Sequence, residues 1–244
     1  MQRLWQKIAL VTGANKGIGL EVARQLAASG CSMLLGARNR ALGEEAAEML
    51  KREGSDVRYL SLDLEDPATI AAAAREIETE FGRLDLLVNN AGIVVPGDGL
   101  PSNSSLDSIE RAFRVNFMGT VAVTQAMLPL LRRASSARIV NVSSGLGSLT
   151  KSGDPAWTHV AAKYLGYAAS KAALNMLTVQ LAWELRETSI KVHSVEPGYT
   201  ATDLNQHRGT QSISEGAFEI IRMALLPDNG PTGTFTSRHG VVPW

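Results

Sequence analysis

The 244-residue chain has one cysteine, Cys31, so no internal disulfide framework can form. Cys31 reads as a small buried apolar group in a protein of a reducing compartment. The chain also lacks net charge, with 24 Lys and Arg against 24 Asp and Glu. That leaves no basic stripe for nucleic acid and no acidic tail. No apolar run approaches the roughly 20 residues that cross a bilayer. The opening stretch "MQRLWQKIALVTG" lacks the charged, apolar, small-residue order of a signal peptide. A cytoplasmic protein without membrane or nucleic-acid partners is expected. The four histidines, His159, His193, His207 and His239, lack metal-ligand spacing, so no metal site is expected. No linker, repeat or break in composition divides the chain, which reads as one domain over 1–244.

Short apolar runs alternate with longer helical patterns. "KIALVTGA", "CSMLLGA", "DVRYLSLDL", "LDLLVNNAG", "ARIVNVSS" and "IKVHSVEPG" read as buried strands. Between them lie amphipathic stretches such as "DPATIAAAAREIETEFG", where Asp66 serves as N-cap and Pro67 takes the first helical position. A helix is expected over 167–187, and the methionines at 118, 127, 176 and 223 read as helix-face packing. The end, "GPTGTFTSRHGVVPW", reads as one last short strand, a turn at His239–Gly240 and a tail. This alternation predicts a single doubly wound α/β domain of Rossmann type, a parallel sheet with helices on both faces. Ligands then bind where loops leave the carboxyl ends of the strands.

The first such loop is "TGANKGIG". Gly13, Gly17 and Gly19 permit a tight turn and close approach of backbone to a ligand. The following helix N-terminus offers free N–H groups to a pyrophosphate. NAD-selective sites carry an acid about 20 residues further on, at the end of the second strand. Here that position is Ala37, followed by Arg38, and Lys16 stands in the glycine loop. Two cations and no anion favour NADP(H).

"TGANKGIG", "NNAG" at 89–92, "VNFMGT" at 115–120, "IVNVSS" at 139–144, "YAASK" at 167–171 and "PGYTAT" at 197–202 follow one another in order. Together they resemble the short-chain dehydrogenase/reductase family, over about residues 7–202. The glycine spacing and the three-residue gap between Tyr167 and Lys171 resemble its carbonyl-reductase-like members. The resemblance implies a catalytic set. Asn116 would anchor a relay water, Ser144 would hold the substrate carbonyl, Tyr167 would be the acid or base, and Lys171 its partner. It also implies a cofactor site. Gly13, Asn15, Lys16, Gly17, Ile18, Gly19 and Arg38 would meet the phosphates, and Asp63 and Leu64 the adenine. Asn90, Ala91 and Gly92, with Tyr167 and Lys171, would line the ribose and nicotinamide. Pro197, Gly198, Thr200 and Thr202 would hold the carboxamide and pyrophosphate.

The residues carry their own argument for Tyr167. Positions four apart share a helix face. A free tyrosine titrates near pH 10, and an ammonium about 4 Å away contributes about 4 kcal/mol at an effective dielectric of 20. Lys171 is therefore expected to lower the phenol by up to about two or three units, at about 1.4 kcal/mol per unit. Tyr164 has no lysine four residues on and reads as packing or pocket wall at the helix start. Ser143 points opposite to Ser144 on the strand.

Residues 145–166 form an insert compared with the commonest members of the resembled family. Its Trp157, His159 and Tyr164 either wall the substrate site or pack the insert down. Residues 203–222 would be the family's substrate lid. Ile93, Val94, Leu146, Trp157 and Tyr199 would rim a mostly apolar pocket, suited to a small hydrophobic ketone, aldehyde or alcohol. Both a monomer and a homo-oligomer fit. A non-catalytic NADP(H) sensor on the same fold and an alcohol dehydrogenase running in reverse are the competing readings.

Overall fold

The computed structural model describes residues 6–244. The first five residues of the 1–244 domain, and with them the start of the stretch read for a signal peptide, lie outside the described residues. The chain runs β1 (Ile8–Thr12), α1 (Gly17–Ala28), β2 (Ser32–Ala37), α2 (Arg40–Arg52), β3 (Val57–Ser61) and α3 (Pro67–Phe81). It continues with β4 (Leu86–Asn89), α4 (Leu106–Phe113), a π-helical turn (Arg114–Gly119), α5 (Thr120–Leu131) and β5 (Ala137–Val142). Then come α6 (Leu149–Gly153), α7 (Leu165–Glu184), β6 (Ile190–Glu196), α8 (Ile213–Ala224), β7 (Thr234–Ser237) and β8 (Gly240–Val241).

The sheet order is β3-β2-β1-β4-β5-β6-β7-β8. All neighbours pair in parallel except β7 and β8. Strand order reverses between β1 and β4, which opens a crevice above their carboxyl ends. Alternate residues of each strand feed opposite faces. On one face Ala9 and Val11 meet α1, α2 and α8 through Val22, Leu26, Leu50, Ile220 and Met223. On the other, Ile8 and Leu10 meet α3, α5 and α7 through Ile77, Met127, Leu130 and Leu181.

Asp66 does cap α3, its carboxylate accepting from the Ala68 N–H at 2.9 Å, with Pro67 at the first position. Several expectations are corrected. The helix expected over 167–187 runs from Leu165 to Glu184. Met118 and Met176 are exposed rather than packed, whereas Met127 and Met223 are buried. The end of the chain folds as a two-strand antiparallel ladder, not one strand. The segment 203–222 divides: 203–212 lies at the mouth of the crevice, while α8 builds its inner face into the core through Ala217, Ile220 and Met223. A helix repeat looks the same whether its apolar face meets a core or a ligand.

Candidate active site

The glycine loop is closed by contacts that leave no room for side chains. A Cβ on Gly19 would stand 2.4 Å from Asn90 Nδ2 and 2.6 Å from the Gly13 oxygen. One on Gly13, whose φ is +63°, would stand 2.9 Å from Ala91 Cα. Asn90 Nδ2 donates to the Thr12 and Gly13 oxygens at 2.9 and 3.2 Å. The Thr12 hydroxyl in turn accepts from the Asn90 and Ala91 N–H groups, both at 3.0 Å. The loops after β1 and β4 are thus stitched side by side at the switch point.

Above them lies a cleft of about 520 Å³. Gly13, Asn15, Lys16, Gly17, Ile18, Gly19 and Arg38 line one end, with Asp63 and Leu64. Asn90, Ala91, Gly92, Ile93 and Val94 form its floor, Tyr167, Lys171 and Pro197 also line it, and Thr202 lies beside Gly17. Two of the expected cofactor residues fall outside. Gly198 takes φ +80° and turns the chain. Thr200 is buried, its hydroxyl bonded to the Pro197 and Gly198 oxygens at 3.3 and 3.4 Å. Both shape the loop from behind.

The cleft suits a dinucleotide on its own geometry. The α1 N-terminus has no side-chain cap and no acid in its first turn, so its N–H groups remain available to an anion. Ala37 is buried at the end of β2, and Arg38 faces the cleft beside it. These residues would hold a nicotinamide dinucleotide.

Around Tyr167 the sheet and helices converge. Asn116 sits on the π-helical turn, where its side chain is fully buried. Its Oδ1 accepts from the Ile93 N–H at 2.8 Å. Its Nδ2 donates to the Ile93 oxygen at 2.9 Å and to Ser170 Oγ at 3.0 Å. Ser170 then donates to the Tyr167 oxygen at 2.7 Å. The Asn116 amide thereby ties the loop after β4 to α7. Ser170 was not singled out from the sequence, although it stands one position before the Tyr–Lys lysine.

Ser144 Oγ accepts from the Leu146 N–H at 3.2 Å. Ser143 is buried, its hydroxyl 3.4 Å from the Lys171 oxygen. Lys171 does not behave as its spacing suggests. Its Nζ donates to the Val142 oxygen at 2.7 Å and lies 5.7 Å from the Tyr167 ring centroid. Burial pushes the Lys171 ammonium down to about 8. Burial also pushes the Tyr167 phenol up, to about 12, with Ser144 pulling the other way and Glu196 adding to the push. Desolvation is the largest influence on both groups, and the ammonium is turned to a backbone carbonyl.

Two acids escaped sequence reading. Asp98, in the loop after β4, accepts from the Gly166 and Tyr167 N–H groups, each at 2.8 Å. It caps α7 from outside, since Tyr164 at the N-cap supplies no side-chain bond. Asp203 accepts from Lys16 at 2.5 Å and from His207 at 2.8 Å, joining the mouth to the glycine loop.

The substrate residues scatter. Ile93 and Val94 line the cleft. Leu146, Trp157 and Tyr164 line a separate small cavity of about 120 Å³. Tyr199 lines neither; it packs on His159 at 5.6 Å between centroids, and His159 packs edge-on against Trp157 at 5.6 Å. The insert is thereby fastened to the loop after β6. His193 is a core group, 2.7 Å from Thr234 Oγ1 and pushed down to about 4 by burial.

An open parallel sheet with a glycine loop at its switch point and a buried tyrosine and lysine across the cleft defines a class, the doubly wound oxidoreductases. Sequence comparison narrows the class: the short chain dehydrogenase profile matches residues 7–212, and the chain belongs to that family. It is 33% identical to (+)-neomenthol dehydrogenase of Arabidopsis thaliana, over 96% of this chain and 97% of the relative. It is 32% identical to salutaridine reductase of Papaver somniferum, over 94% of each. An NADPH-bound carbonyl reductase from chicken fatty liver superposes with a TM-score of 0.84 at 29% identity, over 98% of this chain and 99% of that one.

Proposed function

We propose that the chain is an NADPH-dependent reductase of a small apolar ketone or aldehyde, reversible to alcohol oxidation, with Tyr167 as proton donor. The observation that carries this reading is the Tyr167 phenol, buried in the lining of the cleft with Lys171 one turn on, its proton held more firmly by burial. A phenol that keeps its proton at neutral pH is loaded as an acid, which suits reduction.

When bound, NADPH would supply the hydride. Arg38 and Lys16 would meet its 2′-phosphate, and the α1 N-terminus its pyrophosphate. Asn90, Ala91 and Gly92 would set the floor beneath the reacting ring. Gly92 has to be small there, since a Cβ would stand 3.3 Å from both Asn116 Oδ1 and Lys171 Nζ. The substrate carbonyl oxygen would accept from Ser144 Oγ and Tyr167 Oη, where negative charge develops, and Tyr167 Oη would pass its proton to that oxygen. Lys171 would place positive charge behind the phenolate that remains. The names of the relatives, a neomenthol dehydrogenase and a salutaridine reductase, support alicyclic or polycyclic carbonyl compounds as the substrate class.

The test is NADPH oxidation, followed by absorbance, across ketones, aldehydes and quinones, with NADH alongside. Turnover with NADPH on apolar cyclic ketones is expected. Tight NADPH binding with no turnover on any carbonyl would instead mark a sensor.

A further inference from the structure

Lys16 stands in the glycine loop, at the N-cap of α1, and lines the cleft together with Arg38. Its ammonium is turned to the mouth, where Asp203 Oδ2 lies 2.5 Å away. His207 Nε2 meets the other oxygen of that carboxylate at 2.8 Å. Asp203 and His207 line the same cleft. Thr202 adjoins them, its methyl 3.7 Å from where a Cβ on Gly17 would stand. An acid from the loop after β6 thus reaches a cation of the loop after β1.

The carboxylate is not needed to shape its own loop. The two legs of 199–211 are pinned by backbone bonds, from the Ala201 N–H to the Gln211 oxygen at 2.9 Å and from the Gln211 N–H to the Tyr199 oxygen at 3.0 Å. A Cβ on Gly209 would stand 2.1 Å from Ala201 N, so the legs touch. Asn205 closes the tip. Its Nδ2 donates to the Thr200 oxygen at 2.8 Å, and its Oδ1 accepts from the Thr202 N–H at 3.2 Å. A frame built by these groups presents the Asp203 carboxylate outward, to Lys16 and His207.

NAD-selective sites of this fold carry an acid at the end of the second strand, where it accepts from a ribose 2′-hydroxyl. Here that position is Ala37, and an acid arrives from the mouth instead, on the cation. A lysine ammonium is a compact charge on a flexible stem. The Lys16 side chain is 63% exposed, so it is free to turn from a carboxylate to a phosphate. Two anions crowded on one ammonium repel each other.

We propose that Asp203 is a specificity-determining residue that competes with the cofactor 2′-phosphate for Lys16, and so tempers the preference for NADPH over NADH. This rests on the reading of Lys16 and Arg38 as the 2′-phosphate site. The competition falls on NADPH alone, because NADH carries no anion at that place.

The experiment titrates NADPH and NADH by fluorescence into wild type, Asp203→Asn, Lys16→Met and the double variant. Adenosine 2′,5′-bisphosphate and adenosine 5′-monophosphate, read by displacement of NADPH, isolate that end of the cofactor. Asp203→Asn should bind NADPH and the bisphosphate about fivefold more tightly, the upper end for an exposed ion pair. NADH and the monophosphate should bind as before. The gain should vanish when Lys16→Met is also present. Unchanged or weaker NADPH binding by Asp203→Asn would overturn the proposal. So would an equal gain for NADH, which would place the carboxylate against the shared phosphates. A gain that persists beside Lys16→Met would do the same, since it would report the field of the mouth rather than a contest for one ammonium. Failure of the underlying reading looks different: Lys16→Met and Arg38→Leu would both leave NADPH affinity where it was, and the proposal would fall with it.

Discussion

Lys171 and Lys16 line the same cleft, and their surroundings differ in kind. Lys171 is 4% exposed, with its ammonium bonded to a strand carbonyl. Beneath it runs a buried polar chain. Asn89 Nδ2 donates to Asn141 Oδ1 at 2.8 Å, Asn141 Nδ2 to Thr178 Oγ1 at 2.9 Å, and Thr178 Oγ1 meets Ser194 Oγ at 2.8 Å. Lys16 reaches into solvent and is held by one exposed carboxylate. Beside that carboxylate, Gln206 and His207 take φ of 55° and 58°, a region that costs a non-glycine residue roughly 1–2 kcal/mol. Buried hydrogen bonds are expensive to leave unmade, whereas exposed ion pairs contribute little. The floor of the cleft therefore fixes where the tyrosine stands, whereas the Lys16–Asp203 pair at the mouth contributes little.

That contrast is broken most severely by Asp98→Ala. It leaves the Gly166 and Tyr167 N–H groups without their acceptor. A loss of about 1–2 kcal/mol in denaturant unfolding is expected, with turnover down roughly tenfold as the first turn of α7 loosens. Asp98→Asn should restore part of both, since it keeps one acceptor oxygen. A smaller effect is expected from Arg38→Leu at the cofactor end. NADPH should bind about tenfold more weakly, about 1.4 kcal/mol, while NADH affinity stays level, both read by fluorescence titration. Unchanged NADPH affinity would remove Arg38 from the phosphate site. The smallest effect belongs to the mouth. Asp203→Asn should leave the melting temperature where it is, yet speed tryptic cleavage after Arg208. A large drop in melting temperature would show that the mouth is part of the rigid frame after all.

Much of this was legible in the sequence because it depends on neighbours along the chain. Asp66 and Pro67 announce α3, and the glycines of 13–19 announce a turn that brings backbone to a ligand. What escaped depends on partners far away. Asp98 acquires its role only when residues 166 and 167 arrive above it, and Asp203 only when Lys16 does. Spacing placed Tyr167 and Lys171 on one face of α7, but spacing carries no burial, and both are buried. Residues 203–222 resemble a lid, and only the packing of α1 beside α8 shows that the apolar face of that helix is core.

The most direct measurement is the turnover of Tyr167→Phe with NADPH and an apolar cyclic ketone, alongside its NADPH affinity. The account predicts affinity close to wild type and turnover lower by roughly 10²–10⁴-fold, the range of a lost general acid. Turnover near wild type, with the cofactor bound as before, would contradict it.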